Sequence, residues 1–107
     1  MEVITNNNIK CTIALAGLYD VYDPEIGLNV VDLGLIYQID FDEENKRIDA
    51  GVTLTTQFCP MGESIINNVT ESLSNAFKEY TVHVNLTFDP PWNSSRISVE
   101  GQNFLNS

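Results

Sequence analysis

At 107 residues the chain is long enough for one domain with a modest core and too short for two. Fifteen acids against five bases leave a net charge of −10, which repels phosphate backbones and anionic headgroups, so neither nucleic acid nor a polybasic membrane anchor is expected as a partner. No apolar run approaches the roughly 20 residues of a membrane span. The polar, Asn-rich start lacks the basic-then-apolar order of a signal peptide, so the cytoplasm is the expected location.

Residues 1–8 read as a flexible N-terminal tail and 9–107 as a single domain. From Ile9 to Tyr22, Cys11, Leu15, Leu18 and Tyr22 recur at helical spacing, which predicts a helix burying one face. It must end before Asp23-Pro24, because proline drives its predecessor out of the helical region. Asp23-Pro24-Glu25-Ile26-Gly27 is then a turn or loop. Leu35, Tyr37, Ile39 and Phe41 alternate with more polar neighbours, as in a strand with one buried face. A charged turn, Asp42 to Lys46, should fold it back antiparallel onto a second strand, Ile48 to Thr55, with Ile48, Ala50, Val52 and Leu54 inward.

A second amphipathic helix is expected from Glu63 to Tyr80, on Ile66, Val69, Leu73, Ala76 and Tyr80. A third strand, Thr81 to Phe88, points Val82, Val84, Leu86 and Phe88 inward, and Asp89-Pro90-Pro91 stops it. Ser94 to Leu105 has room for one short helix, which Gly101 and Asn103 weaken. The sum is an α+β fold: a two-layer sandwich with an α-β-β-α-β core, whose three-stranded sheet is covered by helices on one face.

The candidate chemistry lies between the second strand and the second helix, where the chain reads Thr-Leu-Thr-Thr-Gln-Phe-Cys-Pro-Met-Gly from Thr53 to Gly62. Pro60 suits a first helical position and makes Cys59 the expected N-cap. A thiol there meets unpaired amide donors and the positive end of the helix dipole, which favours the thiolate that binds metal or attacks an electrophile. A structural cap is the plainer alternative. The other cysteine, Cys11, falls in the apolar stripe of the first helix and reads as a small buried hydrophobe. His83, on the polar side of the third strand, is an unpromising base for Cys59. Asp23 and Glu25 are the other candidates for its neighbours. Pro90-Pro91-Trp92 combines a fixed backbone with a large aromatic ring, as suits either an interaction edge or a rigid turn.

Taken together, Asp23-Pro24-Glu25-Ile26, Asn29-Val30-Val31-Asp32-Leu33-Gly34-Leu35-Ile36-Tyr37, Thr53-Leu54-Thr55-Thr56 with Cys59-Pro60, and Pro90-Pro91-Trp92 resemble the SufT/PaaD-type domain of iron–sulfur cluster assembly. The likeness runs from about residue 11 to residue 98. It implies the αββαβ core read above, and a carrier, adaptor or targeting role in place of turnover as an enzyme. It also implies a functional cluster of Asp23, Glu25, Thr55 and Thr56 around Cys59, with Cys59 as the metal ligand. The chain departs from the family pattern at Phe58, where a small residue is usual, and after Trp92.

Counting ligands restricts the role further. An iron–sulfur cluster usually takes four thiolate-type ligands, and this chain offers one good candidate. The cofactor would be a transient cluster or iron, shared between subunits of a homodimer or completed by other thiols. The partners would be an assembly scaffold or client apoproteins. The alternatives are an interaction module docking through the Pro90-Pro91-Trp92 edge, an accessory protein of an oxygenase system and, least favoured, a thiol enzyme.

Overall fold

A computed structural model describes residues 3–24, 26–55, 62–88 and 91–105. In chain order the elements are β1 (Ile4–Thr5), α1 (Asn8–Leu18), β2 (Ile36–Asp42), β3 (Arg47–Val52), α2 (Gly62–Ala76), β4 (Thr81–Leu86), a 3-10 turn (Ser94–Arg96) and α3 (Val99–Leu105). The fold is α+β, with a mixed sheet in the order β1-β2-β3-β4. β2 and β3 form the expected antiparallel hairpin, while β1 joins β2 and β4 joins β3 in parallel.

The sheet has four strands where three were expected, because part of the supposed tail is built into it. Ile4 and Thr5 pair with Gln38 and Ile39. The side-chain amide of Asn6 then exchanges two 2.9 Å hydrogen bonds with the backbone of Phe41, as a strand residue would. Asn7 accepts from the Lys10 amide at 3.0 Å and so caps α1. The asparagines that suggested a loose tail thus close a sheet edge and start a helix.

The core joins Ile36, Ile39 and Phe41 of β2, Ile48, Ala50 and Val52 of β3, Cys11, Ala14 and Leu18 of α1, and Ile65, Val69 and Leu73 of α2. Phe41, Phe77 and Tyr80 stack edge to face at one end, with centroids 5.4–6.3 Å apart.

Three expectations at element ends need correction. The first helix stops at Leu18, not Tyr22, because the backbone of 21–23 is taken by 28–30. The Val30 amide donates to the Val21 carbonyl at 2.9 Å, and Tyr22 bridges to Asn29. That pairing turns Tyr22 outward, so it is 51% exposed instead of lying in the apolar stripe. The second helix ends at Ala76, leaving Phe77 and Tyr80 in the turn that leads to β4. Leu86, expected inward, is 47% exposed on a strand at the end of the sheet.

Candidate functional site

The loop from Val21 to Leu35 reaches the exit of β3 through successive backbone bonds. Val30 donates to Val21, Leu35 donates to Val30 at 3.1 Å, and Thr53 donates to Leu35 at 2.8 Å. The Asp-Pro loop and the strand that leads toward Cys59 are therefore held in one hydrogen-bonded frame. Asp23 begins that loop and is 1% exposed. Its carbonyl accepts from the Gly27 amide at 2.7 Å, and its carboxylate from the Ile26 amide at 3.3 Å. A buried carboxylate is tolerable only with such donors.

The described residues on either side of the segment that should carry the chemistry lie close together. Leu54 leaves β3 buried, and its Cδ1 would lie 2.5 Å from a Cβ added to Gly62, the first residue of α2. A side chain at position 62 would force the Leu54 side chain to shift. Of the predicted cluster, Asp23 and Thr55 lie in the described structure, Asp23 buried and Thr55 half-buried. Glu25, Thr56 and Cys59 lie outside the described residues, as do Pro60 and its expected helix-start position.

Sequence reasoning passed over Thr53. Its side chain is fully buried, and its Oγ1 has no hydrogen-bond partner among the described residues. An uncompensated buried hydroxyl costs about 1–3 kcal/mol, so the described structure leaves that cost unmet at Thr53. In sequence it is one more threonine of an alternating strand, and nothing there signals an orphaned hydroxyl.

The C-terminal segment is locked onto the same loop. Asp32 accepts from its own turn partner Asn29 at 2.6 Å and from the Ser98 hydroxyl at 2.7 Å, while its carbonyl takes the Ser98 amide at 2.8 Å. Arg96 donates through Nε to the Gly34 carbonyl at 2.9 Å, and its guanidinium lies 4.0 Å above the Tyr37 ring. Trp92 is half-buried, and its indole N–H donates to the Leu33 carbonyl at 2.7 Å. Pro91 beside it is exposed, and Pro90 lies outside the described residues. Among the described residues of that stretch, then, Trp92 is anchored to the loop and Pro91 is exposed. The Asn29–Gly34 motif that marked the resemblance serves as the receptor for this lock.

The second thiol sits elsewhere. Cys11 is buried in α1, and burial pushes its pKa up, which disfavours the thiolate needed for metal or nucleophile. Among the described residues, no group of three His, Cys, Asp or Glu side chains converges to hold a metal ion. No described helix is long and apolar enough to cross a membrane.

A family model described as an iron–sulfur cluster assembly protein matches residues 14–89. The Fe-S protein maturation auxiliary factor SufT of Staphylococcus aureus is 37% identical over 78 residues, covering 73% of this chain and 88% of the relative. The Fe-S protein maturation auxiliary factor YitW of Bacillus subtilis is 32% identical over 98 residues, covering 92% and 90%. The crystal structure of a domain of unknown function from Bacillus anthracis superposes with a TM-score of 0.83 at 32% identity, covering 94% of this chain and 98% of that one.

Proposed function

Because this chain belongs to the iron–sulfur cluster assembly protein family, we propose that it is a maturation factor for iron–sulfur proteins and that Cys59 is its working residue. The observation that carries the reading is the frame around residues 55–61. The strand exit and the helix entry touch at Leu54 and Gly62, and the Asp-Pro loop is bonded to the same strand exit. A transfer site needs its working segment carried on rigid elements, and the described residues that flank 56–61 supply such elements. Asp23, Glu25, Thr55 and Thr56 then serve to orient the thiolate and the incoming iron.

Cargo is the right word for the metal in this scheme. Four thiolate-type ligands are usual for a cluster, and Cys11 is disqualified by its burial. Cys59 therefore supplies one ligand, and a scaffold, a client or a second copy supplies the others. Iron or a cluster passes through and does not reside. The protein acts as a carrier or adaptor in the cytoplasm, and the exposed Pro91 beside the anchored Trp92 is a secondary contact for its partners.

Anaerobic reconstitution with iron and sulfide tests the ligand assignment. The expected product is a labile cluster shared between two chains, absent in Cys59→Ser and retained in Cys11→Ser. A cluster held at wild-type occupancy by Cys59→Ser would remove Cys59 from the mechanism.

A further inference from the structure

β4 ends the sheet, and among the described residues no strand lies beyond it. Its parallel ladder with β3 is fixed at both ends: the Thr81 amide donates to Lys46 at 2.8 Å and the Thr87 amide to Val52 at 2.9 Å. Peptide groups alternate in direction along a strand, so residues 81, 83, 85 and 87 face β3. Val82, Val84 and Leu86 turn their N–H and C=O groups to the outer edge. The other end of the sheet is treated differently. There β1 is only two residues long, and the Asn6 amide takes up the backbone of Phe41 beyond it.

Open edges are normally guarded by a lysine or other charge, a proline or a bulge. β4 reads Thr-Val-His-Val-Asn-Leu, with no proline and no Lys, Arg, Asp or Glu. Its six residues pair with β3 in continuous register, whereas β2 shifts register against β3 between Ile36 and Gln38. In a chain of net charge −10, six consecutive residues without an acid on an unguarded edge form a backbone template.

We infer that the outer edge of β4 binds an extended segment of a partner protein as a fifth strand, with apolar residues alternating with basic ones. The two faces beside the edge set that chemistry. On one, Val82 and Val84 pack on the core and Leu86 stands half out, so the added strand finds apolar neighbours there. On the other, the row Asp40, Asp49, His83 runs across the sheet to the edge; Arg47 on the same face already pairs with Asp49 at 2.9 Å, so Asp40 and the chain's net charge of −10 are what lysine or arginine side chains complement. A second copy fits less well. It would bring another −10 charges, and one six-residue pairing falls far short of the ~800 Å² per partner of a standard interface. The inference does not depend on the chemistry of Cys59.

Two synthetic octapeptides test it, one alternating Val with Lys and one alternating Val with Glu, each titrated into the full chain while backbone amide exchange is followed by NMR. The Val-Lys peptide should slow exchange at Val82, Val84 and Leu86 by about tenfold or more, and the Val-Glu peptide should not. Leu86→Lys, which sets a like charge on the edge, should weaken the effect, as should Val84→Pro, which removes the central donor. Absence of protection with the Val-Lys peptide, equal protection by both peptides, or unchanged binding by Leu86→Lys would overturn the inference. So would protection without peptide that rises with protein concentration, since that assigns the edge to a second copy.

Discussion

Gly34→Ala tests the junction on which the C-terminal lock depends. Gly34 has φ +75°, and a Cβ placed there would lie 2.5 Å from the Arg96 carbonyl oxygen and 2.6 Å from the Arg96 Cβ. The left-handed conformation costs an alanine roughly 1–2 kcal/mol. Pushing Arg96 away adds about 1–3 kcal/mol of overpacking. The stiffer unfolded chain returns about 0.4–1 kcal/mol. The net loss is about 1–5 kcal/mol, centred near 3, a large share of the ~5–15 kcal/mol that holds a domain together. With an unfolding entropy of about 2.1 cal/mol/K per residue over 107 residues, each kcal/mol lowers Tm by about 4–5 °C, so the expected drop is roughly 4–20 °C, centred near 13 °C. Urea and thermal unfolding followed by circular dichroism measure it. Gly27→Ala is the control: its φ is +81°, but no atom lies within 4 Å of the added Cβ, so only the backbone cost of about 1 kcal/mol applies. Equal losses in the two variants would refute the argument that Arg96 closes on Gly34.

Thr53→Val removes the orphaned hydroxyl at nearly constant volume and should raise stability by about 1 kcal/mol in urea titrations; a loss of that size would mean the hydroxyl has a partner. Glu43 is held below its usual pKa first by its bond to Lys10 and then by Tyr80, and Lys10 is held above its own value by the same contacts. The Glu43 contribution is thus present above the unfolded carboxylate pKa of 4.5 and lost as pH falls through the lower folded value, while the Lys10 contribution is lost as pH rises beyond 10.5. Glu43 is exposed, so Glu43→Gln should only flatten the acid limb of the stability profile slightly; a steeper acid limb in that variant would contradict the pairing. Finally, iodoacetamide near neutral pH should label Cys59 well before Cys11, whose thiol is buried. Mass spectrometry of early time points reads the order, and faster labelling of Cys11 would contradict both assignments.

Periodicity was enough to find the hairpin, both long helices and the third predicted strand, because each buries a face at spacing 2 or 3.6. It failed where side chains replace backbone. Asn6 and Asn7 look like solvent-seeking residues until one completes a strand edge and the other caps a helix, and only the fold supplies their partners. Tyr22 kept the helical spacing, but pairing between residues 21–23 and 28–30 outweighed one more turn of helix. The motif residues were legible as a set, yet their division of labour was not. Asp32 and Gly34 receive Ser98 and Arg96 from more than sixty residues away, and no local pattern announces that contact. Thr53 was missed twice over: alternation sets Ile48, Ala50, Val52 and Leu54 inward and Thr53 on the other side, yet its side chain is buried and its hydroxyl unmet among the described residues.

The central claim is that Cys59 carries iron–sulfur cargo to client proteins. Its most direct measurement is the activity of iron–sulfur enzymes in cells whose own copy has been replaced by wild-type or Cys59→Ser protein at matched abundance. The account predicts that cluster-dependent enzymes lose activity with Cys59→Ser while cluster-free enzymes are unaffected and the variant keeps the wild-type Tm. Full activity of the cluster enzymes with Cys59→Ser would contradict it.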